Sequence, residues 1–96
     1  MKTKKIKVGL PIIYYREGKY FIAQCPVLDL VSQGKTYEEA GARFEKLVKI
    51  FFEECNEMGT LEEVLTDLGW EKSNGDWLPP VLVGEERKEV FIPCPA

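Results

Sequence analysis

No histidine occurs among these 96 residues, and cysteine is sparse: Cys25, Cys55 and Cys94 lie far apart with no Cys-x-x-Cys pair. Without imidazole the chain lacks the commonest general base and the commonest transition-metal ligand. Three scattered thiols form no recognisable four-ligand zinc set, and their odd number fits reduced, mostly buried cysteines better than a disulfide framework. No metal and no cofactor is expected. Long hydrophobic runs are missing too: no stretch approaches the ~18 apolar residues that span a bilayer. The N-terminus has no apolar stretch with a small-residue cleavage site. The expectation is a cytoplasmic protein with no membrane contact. A positive surplus is also lacking, because 13 Lys and Arg face 16 Asp and Glu for a net charge of −3. That balance weighs against nucleic-acid binding by bulk electrostatics, which works by displacing counterions from phosphates.

What is present is a globular composition, with 45% hydrophobic and 30% charged residues, far from a disordered chain. Ninety-six residues suffice for one core only, so residues 1–96 are expected to form a single domain. The fold class expected is α+β: a three-stranded antiparallel sheet packed by a long helix, then a short helix and a C-terminal strand.

Residues Ile6 to Tyr15 alternate as a strand, with Val8, Leu10, Ile12 and Tyr14 on one face. Pro11 lacks the N–H that a central strand needs, which places that part at an edge or bulge. Gly18 supplies the positive φ of a hairpin loop within Arg16-Glu17-Gly18-Lys19. Tyr20 to Cys25 is apolar on both faces and reads as the central strand, ended by Pro26; a short third strand is expected around Val31-Ser32-Gln33, closed by Gly34.

Thr36-Tyr37-Glu38-Glu39 has the form of a capping box, in which hydroxyl and carboxylate each satisfy the other residue's N–H. Behind it Tyr37, Ala40, Phe44, Leu47, Val48, Phe51, Cys55 and Met58 recur at spacings of three and four, one stripe over about six helical turns. Met58-Gly59 is a stop signal. Thr60-Leu61-Glu62-Glu63 repeats the capping pattern and opens a shorter helix to about Leu68, stopped by Gly69. Beyond Trp70 the periodicity weakens. Asn74-Gly75 suits a type I′ turn, Pro79-Pro80 an extended link, and Glu89-Val90-Phe91-Ile92 a last strand bounded by Pro93 and Pro95.

For function, a two-metal nuclease of the ribonuclease H kind needs three or four carboxylates converging from its first strand and its neighbours. The segment Ile6–Tyr15 has none, and the glutamates at positions 38, 39, 53, 54, 62 and 63 fall at helix starts or on solvated faces. With no histidine beside Ser32 or Ser73, no activated nucleophile is visible either. A non-enzymatic protein is expected, with no catalytic residues. Lys2, Lys4, Lys5 and Lys7, followed by Tyr14-Tyr15, could contact RNA phosphates, but lysines at the start of an edge strand also guard against edge-to-edge pairing. Ile50 falls off the apolar stripe onto the polar flank beside Arg43. With Phe52, it is either covered by the C-terminal segment or part of a protein interface. Trp70 and Trp77 pose the same choice between closing a small core and anchoring a partner. The candidate protein-interface residues are therefore Ile50, Phe52, Trp70 and Trp77.

Several short motifs recur here in a fixed order: Gly18 with Tyr20 and Phe21, Ala23-Gln24-Cys25-Pro26, Gln33-Gly34-Lys35-Thr36, and Glu38-Glu39-Ala40. Together they resemble the N-terminal domain of HicB-type antitoxins, over about Ile6 to Trp70, leaving residues 71–96 as a C-terminal extension. The resemblance implies a degenerate ribonuclease-H-like fold without its active site, which forms homo-oligomers and binds a HicA-type mRNA interferase toxin. Family members that bind DNA carry a helix-turn-helix or ribbon-helix-helix module, and no segment after Trp70 has the length and period of one. DNA binding is not expected. The loop Pro26-Val27-Leu28-Asp29-Leu30 is shorter than the leucine-proline-glycine loop of many members, as in small stand-alone relatives. A stand-alone oligomer without a toxin is the alternative reading.

Overall fold

The computed structural model describes residues 7–96. Three strands, β1 (Ile13–Glu17), β2 (Tyr20–Cys25) and β3 (Leu30–Gly34), form an antiparallel meander with β2 in the centre. A long helix α1 (Tyr37–Met58) and a short α2 (Leu61–Asp67) follow, and then a hairpin of β4 (Glu71–Ser73) and β5 (Asp76–Leu78). Residues 79–96 carry no helix or strand.

The first turn sets the register. Gly18 takes φ 60° while Lys19 stays negative, the sign pattern of a type II′ loop, and Glu17 consequently faces Tyr20. Every later pair follows, so that Tyr14 meets Ala23 and Ile13 meets Gln24. Carried two residues beyond Ile13, this register would set Pro11 against Pro26, and neither can donate to a ladder. The strand expected over Ile6–Tyr15 is thus displaced: pairing begins at Ile13 and runs on to Glu17. Its alternation persists without the ladder, because Val8, Leu10, Ile12 and Tyr14 all pack against the core.

One face of the sheet receives α1. Cross-strand partners share a face, so Ala23 and Cys25 of β2 lie beside Tyr14 of β1 and beside Leu30, Ser32 and Gly34 of β3. Ala40 and Phe44 of α1 descend onto them, and Phe44 is 1% exposed. Contact at Gly34 is close: a Cβ there would stand 2.6 Å from the Ala40 backbone nitrogen. The Ser32 hydroxyl donates to the Ala40 carbonyl at 2.9 Å across the same seam. Tyr14 lies over Gly41, where a Cβ would meet its hydroxyl at 2.9 Å, and its ring stacks on Tyr37 at 4.1 Å. Burial there, with Tyr37 and Glu45 nearby, raises the Tyr14 pKa.

Helix ends follow the capping chemistry in part. The Thr36 hydroxyl accepts from the Glu39 N–H at 3.0 Å. The reciprocal half of the box is diverted, since the Glu39 carboxylate pairs with Arg43 at 2.7 Å, and Arg43 also donates to the Gln33 carbonyl at 3.2 Å. At Thr60 the box does not form, because its ψ of 3° is not the extended value of a cap and its side chain makes no cap bond. Both C-termini are Schellman motifs. Gly59 at φ 69° and Thr60 bond back to Asn56 and Cys55, while Gly69 at φ 88° and Trp70 bond back to Thr66 and Leu65. The second motif turns Trp70 inward beside Leu65, into the same core as Val27 and Leu28.

Asn74 and Gly75 both have positive φ, as a type I′ turn requires, and they close the β4–β5 hairpin. The C-terminal strand expected over Glu89–Ile92 does not form: those residues lie exposed with no ladder partner. The radius of gyration is 16.6 Å with a long axis of 60 Å, against about 12.5 Å for a compact chain of this length.

Candidate protein-binding surfaces

The four expected interface residues separate. Trp70 is buried at 4% exposure, and its indole Nε1 donates to the Val27 carbonyl at 2.7 Å. It closes the core across the β2–β3 loop, which removes it from the candidate surface. Phe52 is half-buried, edge-on to Phe51 at 5.2 Å and to Trp70 at 6.4 Å. Trp77 packs against the core from the hairpin, with the Lys72 ammonium 5.7 Å from its ring centroid. Ile50 alone stands out, 50% exposed on α1.

Around Ile50 the charge is one-sided. Between Lys49 and Lys72 the chain has Glu53, Glu54, Glu57, Glu62, Glu63, Asp67 and Glu71 and no basic residue, and all seven are exposed. Glu62 and Glu63 suit the first turn of α2, where carboxylates complement the helix dipole. The end of α1 is the reverse: no basic residue occupies its last turn, and Glu57 sits against the negative end of the dipole. Helix stability does not account for that placement. The result is an acidic corner at the α1–α2 junction, with an apolar group at its rim.

A second surface is the outer face of the sheet, opposite α1. The register sets Ile13, Tyr15 and Glu17 beside Tyr20, Ile22 and Gln24, and beside Val31 and Gln33. Tyr15, Tyr20 and Val31 are exposed, and no helix covers them. From the sequence Tyr15 was singled out only beside the N-terminal lysines as a nucleic-acid contact, and Tyr20 only as part of a motif; none of the three was read as part of a protein surface. The alternation of Tyr20–Cys25 was readable, but which of its two apolar faces takes the helix depends on the register set at Gly18-Lys19.

The third surface is the C-terminal segment. Pro79 and Pro80 are half-buried, and with Leu78, Val81 and Leu82 they line an open groove of about 550 Å³ against Gly9, Leu10 and Pro11. From residue 81 to 96 every residue is exposed, including Val83, Val90, Phe91 and Ile92.

Other chemistry is thinly represented. Among the described residues no three of the Cys, Asp and Glu side chains come together as a metal site. β1 does end on a carboxylate, Glu17, which the strand as expected did not contain; it is exposed on the outer face. Cys25 is fully buried and its thiol pKa is raised, burial outweighing the backbone N–H groups of Leu28 and Val27 that favour the thiolate. Of the N-terminal lysines, Lys7 is exposed, and Lys2, Lys4 and Lys5 lie outside the described residues, as does Ile6. No helix among the described residues is long and apolar enough to cross a membrane.

These features define a small α+β domain with exposed apolar and acidic surfaces. No family model, curated protein or solved structure matches the chain.

Proposed function

We propose that this chain is a HicB-like antitoxin, a non-enzymatic module that neutralises a HicA-type mRNA interferase by covering its RNA-binding surface. The observation that carries this reading is the acidic α1–α2 corner with Ile50 at its rim. A ribonuclease that holds an RNA backbone presents cationic groups to phosphates, and an exposed carboxylate cluster competes for those groups. Complementary charge speeds encounter and excludes wrong partners, while an apolar anchor supplies residence time. Glu57 favours the same reading, because it is placed where a helix built for stability alone would carry a lysine. The motif series from Gly18 to Ala40 supports it further, lying on the hairpin, the central strand and the capped helix start.

Co-expression with a HicA-type ribonuclease encoded beside this gene tests the proposal. The expected result is relief of growth arrest and co-purification of a complex, both lost in an Ile50→Lys, Glu53→Lys, Glu57→Lys variant. No complex and no relief would sink the toxin reading. A stand-alone oligomer without a toxin is the second reading, and the exposed apolar C-terminal segment is what favours it.

A further inference from the structure

The surface of this chain is 8361 Å², whereas a compact protein of its mass exposes about 5,600 Å². A stable interface needs only about 800 Å² from each partner, so the excess is ample to form one. Much of it belongs to residues 81–96, where Val83 is 96% and Phe91 105% exposed. A polar tail of this length would be unremarkable, but this one carries Val81, Leu82, Val83, Val90, Phe91 and Ile92. The same protomer has a bare sheet face bearing Tyr15, Tyr20 and Val31.

We propose that residues 83–96 are an exchanged arm, which lies across the outer sheet face of a second copy of this chain while that copy's arm lies across the first. The occupant follows from what each copy has: one donor segment and one acceptor surface. A two-fold exchange therefore satisfies both without leaving a spare, and closes the assembly. Reach is sufficient, because the nine steps from Val83 to Ile92 extend about 30 Å, more than the ~20 Å length of a six-residue strand. The arm does not turn back onto its own sheet. Pro79 and Pro80 line a groove with Gly9, Leu10 and Pro11 and restrict the backbone there, and beyond them every residue from 81 to 96 is exposed. Pro93 and Pro95 then limit ladder formation at the far end, which suits packing over a face more than extension of an edge.

Light-scattering mass measurement of the full chain tests this, with no ribonuclease present, so its outcome is separate from that of the toxin reading. The wild type is expected at twice its 11.0 kDa mass. Phe91→Glu in the arm and Tyr15→Glu on the face are each expected to halve it while keeping the wild-type circular dichroism spectrum, both side chains being exposed in the protomer. Mixing the two variants is expected to restore association beyond either alone, since one intact arm then meets one intact face. A monomeric wild type overturns the proposal. So does a dimer that Phe91→Glu leaves intact, which would mean sheet faces packing directly, or a mixture that associates no better than its components.

Discussion

Residues 13–70 and residues 71–96 contain similar apolar side chains with opposite fates. In the first region each element offers its apolar face to the next one along the chain: β2 to β3, both to α1, and the end of α2 back to the β2–β3 loop. In the second, Val83, Val90, Phe91 and Ile92 are exposed although they are as hydrophobic as anything inside. Hydrophobicity supplies the drive to bury, but a surface of matching shape within reach decides whether burial happens in the same chain. Beyond the β4–β5 hairpin, prolines at 79, 80, 93 and 95 and the charged run 85–89 deny residues 79–96 a ladder or a helix through which to find one.

The sharpest way to break this contrast is Phe44→Ala. With Phe44 at the centre of the first region's core, about 3–5 kcal/mol of stability is expected to be lost, read from a urea midpoint; a loss under ~1 kcal/mol would mean that the core lies elsewhere. Two glycines give the next test. Gly34→Ala drives a methyl group into the backbone of Ala40 and is expected to cost about 1–3 kcal/mol, whereas Gly84→Ala meets nothing and is expected within ~0.5 kcal/mol of wild type. Equal effects would erase the distinction. Thr36→Ala removes a formed cap and is expected to cost about 1 kcal/mol, while Thr60→Ala, where no cap bond exists, costs less. A larger loss at Thr60 would contradict the cap geometry.

The smallest effect is a pH dependence. Burial raises the pKa of Cys25 above its ordinary 9.0 in the folded state, so the fold favours the protonated thiol. Its contribution is complete below about pH 9 and is lost as pH rises through the folded value. Between pH 8 and pH 10 the urea midpoint should fall, less steeply in Cys25→Ala; an identical slope in the variant would remove Cys25 as a cause. Exposed Cys94 marks the other region, and it should react with a thiol reagent well before Cys25 or Cys55.

Most of the first region was legible from local chemistry. The Tyr20–Cys25 strand, the Thr36 cap, the stripe on α1 and both glycine stops each rest on residues within a few positions of one another. The misjudged elements depend on something farther away. Where β1 begins is decided by Pro26 across the hairpin, and Trp70 is fixed by a carbonyl 43 residues earlier. Glu89–Ile92 has the composition of a strand but pairs with neither edge of the sheet, a fact that no local window contains. The acidic corner was not read from the sequence, where Glu53, Glu54, Glu62 and Glu63 were assigned to helix starts and solvated faces; the run of seven exposed carboxylates without a base stands out once α1 and α2 are placed on either side of Gly59.

The bond from Trp70 to Val27 also bears on the order of folding. Meander and α1 are built from neighbours in sequence, so their loops close quickly and at little entropic cost. Docking α2 closes a loop of 43 residues onto a surface that must already exist. Trp70 should therefore contribute after the rate-limiting barrier: in a chevron experiment Trp70→Phe is expected to accelerate unfolding and leave the refolding limb nearly unchanged. A slowed refolding limb would place this closure inside the nucleus instead. On that order of events the indole acts as a latch on a pre-assembled sheet and helix, and it governs how long the native state lasts more than how fast it is reached.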